Sequence, residues 1–136
     1  MIVGGICKGA LVDFLSGVHG ANDRYRLALY VEAADLSPET AAYTAAGEVQ
    51  GQGYMPGGLE LRGHKVRRVG DRAVLTWSDA VWPLSSIRAR GALIYNATQG
   101  RRAIRVIDFG AFVESVDADF IVPIPPEGAV HLEAAV

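Results

Sequence analysis

SSIRARGALIYNATQGRRAIRVIDFG, residues 85–110, decides the fold class: it reads as two apolar strands separated by a polar turn. SSIRARGALIY and RRAIRVIDFG are rich in Ile, Leu, Val and Tyr, and Asn96 to Gly100 between them is turn chemistry. Further short strand candidates flank this pair: LELRGHKVRRV (59–69), RAVLTW (72–77), DFIVPIP (119–125) and AVHLEA (129–134). The expected separators are Gly70-Asp71, a break at Trp82-Pro83, the region near Asp117, and Pro125-Pro126. Upstream, Tyr25, Leu27, Leu29 and Val31 alternate with Arg24, Arg26, Ala28 and Tyr30, the pattern of a half-buried strand with the first set facing the core.

Only one stretch has helical spacing. Leu11, Phe14, Leu15 and Val18 recur at i, i+3, i+4 and i+7, predicting a short helix over residues 8–16 that Gly17 and Gly20 limit. Ser37 ahead of Pro38 suits one capped turn. Residues 47–58, GEVQGQGYMPGG, form a shaped glycine loop with a possible edge strand. Many short strands with almost no helix predict an all-β, jelly-roll-like sandwich in a single domain over residues 1–136.

Size and composition fit that expectation. A chain of 136 residues, half of them hydrophobic and 21% charged, can hold a real core and is not disordered as a whole. Cys7 is the single cysteine, so no internal disulfide is available. The first residues lack the basic start and apolar run of a secretory leader, and no stretch approaches a membrane span; a cytosol-like site of synthesis and no membrane partner are expected. Net charge is −2 but uneven: residues 1–60 hold three basic and seven acidic groups, 61–105 ten and two, 106–136 none and six. Eleven of the thirteen cations are arginines, suited to forked pairing at interfaces.

Catalytic chemistry finds no foothold in the spacing. His19, His64 and His131 form no H-x-H pair or facial triad, so neither a metal nor a cofactor is expected. GGICKGAL (4–11) lacks the terminal Gly-Lys-Ser/Thr of a phosphate loop, and GQGYMPG (51–57) has its third glycine one residue late for a dinucleotide fingerprint. Cys7 beside Lys8 has no visible base and reads as a small buried side chain; Asp117 and Asp119 lack an oxygen-rich calcium loop. Arg67-Arg68 and Arg101-Arg102 raise nucleic-acid contact, which an acidic pI near 5.9 disfavours. Trp77 and Trp82, with Tyr95 and Phe109, are assigned to the core or to an interface; strand alternation puts Trp77 in the core, and Trp82, just before Pro83 at a turn, is the better test of stacking on a sugar.

The ordered series KGALVDFLSGVHG (8–20), DRYRLALYVEAADLSPETAAYT (23–44), GEVQGQGYMPGGLELRG (47–63) and SIRARGALIYNATQGRRAIRVIDFG (86–110) resembles small virion proteins of tailed bacteriophages, including capsid cement or decoration proteins. The likeness runs from Lys8 to near Pro123. It implies a jelly-roll-like domain without enzymatic activity, on the capsid exterior, as a homodimer bridging major capsid subunits. A tail or neck component and a carbohydrate-binding β-sandwich are the alternatives. The candidate contact residues are Gly51, Gly53, Tyr54, Met55 and Pro56 of the glycine loop, Arg67, Arg68, Arg101, Arg102, and Trp82.

Overall fold

The computed structural model describes residues 1–125 and 127–133. They are mostly β, in two antiparallel sheets with one short helix. The larger sheet has the order β1 (Gly5–Ile6), β7 (Arg102–Val122), β6 (Ala80–Asn96), β2 (Tyr25–Tyr30), β3 (Leu59–Glu60). The smaller has the order β4 (Lys65–Val69), β5 (Arg72–Thr76), β8 (Val130–Glu133). The helix α1 covers Lys8–Leu15, as its spacing predicts. Pro126 of the expected Pro-Pro separator and Ala134 of the expected last strand lie outside the described residues.

The quoted stretch is the centre of one long hairpin. Asn96↔Arg102 closes it, and the pairing continues through Gly91↔Asp108 and Ala89↔Val113 to Ala80↔Val122. The breaks expected at Trp82-Pro83 and near Asp117 are therefore corrected: both lie inside strands. Pro83 and Leu84, the latter at φ 47°, bulge opposite Asp119, and Asp117, also at φ 47°, bulges opposite Ser86, on either side of the Ser85↔Ala118 pair. A bulge accommodates a proline that a regular ladder would reject, so neither strand has to end. A larger irregularity sets Phe109 to Phe112 against Arg90 alone, where the strand was expected to end.

Side-chain hydroxyls replace the ladder bonds lost at the outer bulge. Ser85, fully buried, holds Oγ within hydrogen-bonding distance of the carbonyls of Trp82 (3.0 Å) and Ala118 (3.1 Å), to one of which its single proton is donated, and 3.0 Å from Ser115 Oγ. Ser115 Oγ in turn accepts the Ile87 amide at 3.2 Å. A buried backbone group left without a partner costs about 1–3 kcal/mol, so the two serines are structural.

The larger sheet is covered on both faces. One face packs Tyr25, Leu27, Leu29, Ile94 and Ile104 against Leu75, Trp77 and Val130 of the small-sheet side. The other packs Ala28, Tyr30, Leu93 and Val106 against Cys7, Ala10, Ala34 and Leu36. β2 is thus buried on both sides, where alternation suggested one. Val31, expected in the core, is exposed because the strand ends at Tyr30. The helix is correctly placed but differently oriented: Ala10 is buried and Phe14 half-buried, while Leu11 and Leu15 face outward. Residues at 37–40 form the single turn expected of them, with Thr40 N–H donating to the Ser37 carbonyl at 2.9 Å.

Leu29 is fully buried at the centre of β2. Replacing it with Ala is expected to lower unfolding free energy by about 2–5 kcal/mol. Denaturant unfolding of the two proteins measures this, and a loss near zero would contradict the placement.

Candidate interaction surface

The glycine loop is a rigid object because one carboxylate organises it. Glu48 Oε1 accepts the Tyr43 hydroxyl at 2.5 Å, and Oε2 accepts the Tyr54 hydroxyl and the Gly57 amide, the latter at 2.8 Å. Tyr95 donates to the Gly57 carbonyl at 2.5 Å, and Arg26 donates to the carbonyls of Gly57 (3.3 Å) and Gly58 (2.6 Å). Burial and the acceptor carboxylate of Glu48 push the Tyr43 phenol up to about 12, and the same causes raise Tyr54 further, so both remain proton donors at neutral pH.

The loop glycines serve the chain's own packing. A Cβ on Gly51 would stand 2.6 Å from the Ser86 carbonyl oxygen, and one on Gly53, at φ 87°, would stand 2.9 Å from Ser85 Cβ. They let the loop lie against β6, where the Ser86 amide donates to the Gln52 carbonyl at 2.9 Å. Tyr54 is buried and accepts the Leu29 amide through its hydroxyl at 3.0 Å. Of the five loop candidates, Met55, 75% exposed, and Pro56 are the ones that present side chains to solvent.

The remaining candidates separate. Trp82 is corrected: it is 4% exposed, its ring 6.0 Å from Tyr54 and 6.1 Å from Phe120, because the bulge after Pro83 keeps it on the inner face. Trp77 is in the core, as alternation indicates. Neither indole is available to stack on a sugar. Arg67 and Arg68 are exposed on β4, every residue of which faces solvent. Arg101 and Arg102 lie instead at the turn of the long hairpin. Arg101 is exposed with its guanidinium 5.7 Å from the Tyr43 ring, whereas Arg102 pairs with Asp13 at 3.2 Å and so fastens the helix to the sheet.

A polar knot beneath that turn was invisible in sequence. Asn96, fully buried, donates from Nδ2 to His19 Nδ1 and Asp23 Oδ2, each at 2.9 Å, and accepts the amides of Thr98 (3.0 Å) and Gln99 (3.2 Å) through Oδ1. Because Asn96 donates to Nδ1, the neutral His19 ring carries its proton on Nε2, which lies 3.7 Å from Asp13 Oδ2. His19 and His64 both line a cleft of about 190 Å³ between helix and small sheet, with Phe14, Val66, Leu75 and Val130. Burial pulls both imidazoles below the ordinary 6.5, against the opposing pull of nearby Asp13 and Asp23 on His19 and of Asp23 on His64. Cys7 is buried and its thiol pushed up to about 11 by that burial.

Among the described residues, no three His, Cys, Asp or Glu side chains converge in a way that would hold a metal ion, and no helix is long and apolar enough to cross a membrane. Comparison with protein-family models, curated proteins and solved structures gave no match. The arrangement offers contact chemistry: a braced loop with an exposed apolar pair, and an exposed basic strand.

Both histidines titrate lower when folded, so below pH 6.5 the unfolded chain binds more protons than the native one. Stability is therefore expected to be full above pH 6.5 and to fall as pH drops through the folded-state values. Thermal unfolding at pH 7.5 and at pH 5.5 tests this, with the H19Q/H64Q double variant expected to lose most of the difference. Equal midpoints for the wild type at the two pH values would count against it.

Proposed function

We propose that the chain is a structural virion protein that binds the outside of a tailed-bacteriophage capsid and stabilises it by bridging major capsid subunits, after synthesis in the host cytoplasm. The observation that carries this reading, beyond the resemblance, is the loop braced by Glu48 with Met55 and Pro56 exposed on it. A contact element fixed before binding loses little conformational freedom on docking, and an apolar side chain held outward on a rigid support is what the centre of an interface uses.

The physical role requires no catalysis. A protein that binds the assembled shell but not its free subunits shifts the equilibrium toward the shell by mass action, and symmetry repeats each contact many times. The jelly-roll-like reading belongs to this proposal. It is supported by the way the chain passes from the larger sheet to β4–β5, back to β6–β7, and out again to β8. Burial of both tryptophans removes the observation that would have favoured sugar binding.

The test is reconstitution on capsids stripped of this chain. Adding it back is expected to place density on the outer shell surface and to raise the temperature at which DNA is released. Met55→Asp and Arg101→Glu, both at exposed positions, are expected to lower occupancy while leaving the fold intact. Density at the neck or along the tail, or full occupancy by both variants, would overturn the reading.

A further inference from the structure

The two sheets end in open edges of opposite charge. β4 has β5 on one side and, among the described residues, no strand on the other. It carries Lys65, Arg67 and Arg68, all exposed. On the larger sheet, β1 reaches β7 only at Arg105 and Val106, so the outer half of β7, from Val113 to Val122, has β6 on one side and nothing paired on the other among the described residues. That edge carries Glu114, Asp117 and Asp119, also exposed.

These six charges are among those that no ion pair between the described residues neutralises. Lys8, Arg72, Arg90, Arg102 and Arg105 each meet a carboxylate within the chain. Among the described residues, none of the six edge charges does. Asp119 accepts the Leu84 amide at 3.3 Å but faces no cation. Arg88, directly across from Glu114 in the ladder, places its guanidinium 3.9 Å from the centre of the Phe112 ring instead.

An unpaired strand edge is a template for another strand, and like charges facing each other across such a junction are repulsive. A contact between like edges, β4 with β4 or β7 with β7, matches cation with cation or carboxylate with carboxylate. A head-to-tail contact sets opposite charges together. We propose that the basic β4 edge of one copy docks on the acidic outer β7 edge of a second copy. Val66 and Val69 on the first edge and Val116 on the second, all exposed, add apolar area between the charges. Such a contact closes as a dimer where the two copies exchange both edges reciprocally, and otherwise builds a ring or an open filament according to whether its rotation closes. The inference stands on the edges alone and is read without any shell present.

Sedimentation of the full chain over a concentration and salt series is the experiment. The 14.5 kDa chain is expected to associate at low ionic strength and to run as a monomer near 1 M salt, where charges are screened beyond about 3 Å. R67E/R68E leaves both edges acidic and E114K/D117K leaves both basic. Each variant alone is expected to be monomeric, and an equimolar mixture of the two to associate again. Circular dichroism and thermal melting check that each variant is folded; if the change at Asp117 disturbs its bulge, E114K alone with R67E repeats the test at regular, exposed strand positions. A wild type that stays monomeric throughout, a folded single variant that still associates, or a mixture that does not, would overturn the proposal while leaving the reconstitution on capsids to stand or fall by itself.

Discussion

The ladder between β6 and β7 is the constraint on which the rest of the structure depends. Its inner half, from Asn96↔Arg102 to Gly91↔Asp108, is flanked by further strands, β2 joining along β6 and β1 along β7. Arg102 holds the helix through Asp13, and Asn96 holds His19 and Asp23, so the hairpin turn also fixes the cover of one face. Farther out, Ser86 receives the glycine loop and Ser85 closes the bulge. A shift of one residue in this ladder would turn every buried side chain outward, which is why the bulges come with their own hydroxyl partners.

The same hairpin explains how charge is distributed on the folded surface. The basic middle of the sequence does not become a basic patch. Arg72 meets Glu133, Arg90 meets Asp108 and Arg105 meets Glu127, so cations of residues 61–105 are neutralised by the acidic last segment. Among the charges that stay unpaired are those of β4, which no other described strand covers on its outer side, and of the half of β7 that outruns its neighbour β1. At these two places unpaired charge and an open backbone edge coincide, which links electrostatics to topology.

Much of the fold was legible. The strand alternation at Tyr25, Leu27 and Leu29, the helix at residues 8–16 and the turn at Asn96–Gly100 all register local chemistry, and local chemistry formed them. The errors share a cause. Pro83 and Asp117 are strong turn signals singly, and nothing local says that they will fall close together in one ladder and be absorbed as two bulges. Ala28 and Tyr30 read as a solvent face because the cover from Cys7, Ala10 and Leu36 arrives from distant sequence. The site was legible in part: the glycine loop was located, but Glu48, the residue that braces it, looks like any surface glutamate until Tyr43, Tyr54 and Gly57 surround it. Trp82 misled because an aromatic before a proline signals exposure only if a turn follows.

Residue-resolved amide exchange at high salt tests the hairpin most directly. Ile104 and Val106, inside the fully flanked half, are predicted to exchange only with global unfolding. From Val113 to Val122, protection should alternate, with slow amides facing β6 and fast ones facing the open edge. Fast exchange throughout Val113–Val122 would contradict the long hairpin, and slow exchange at every position there would contradict the open edge.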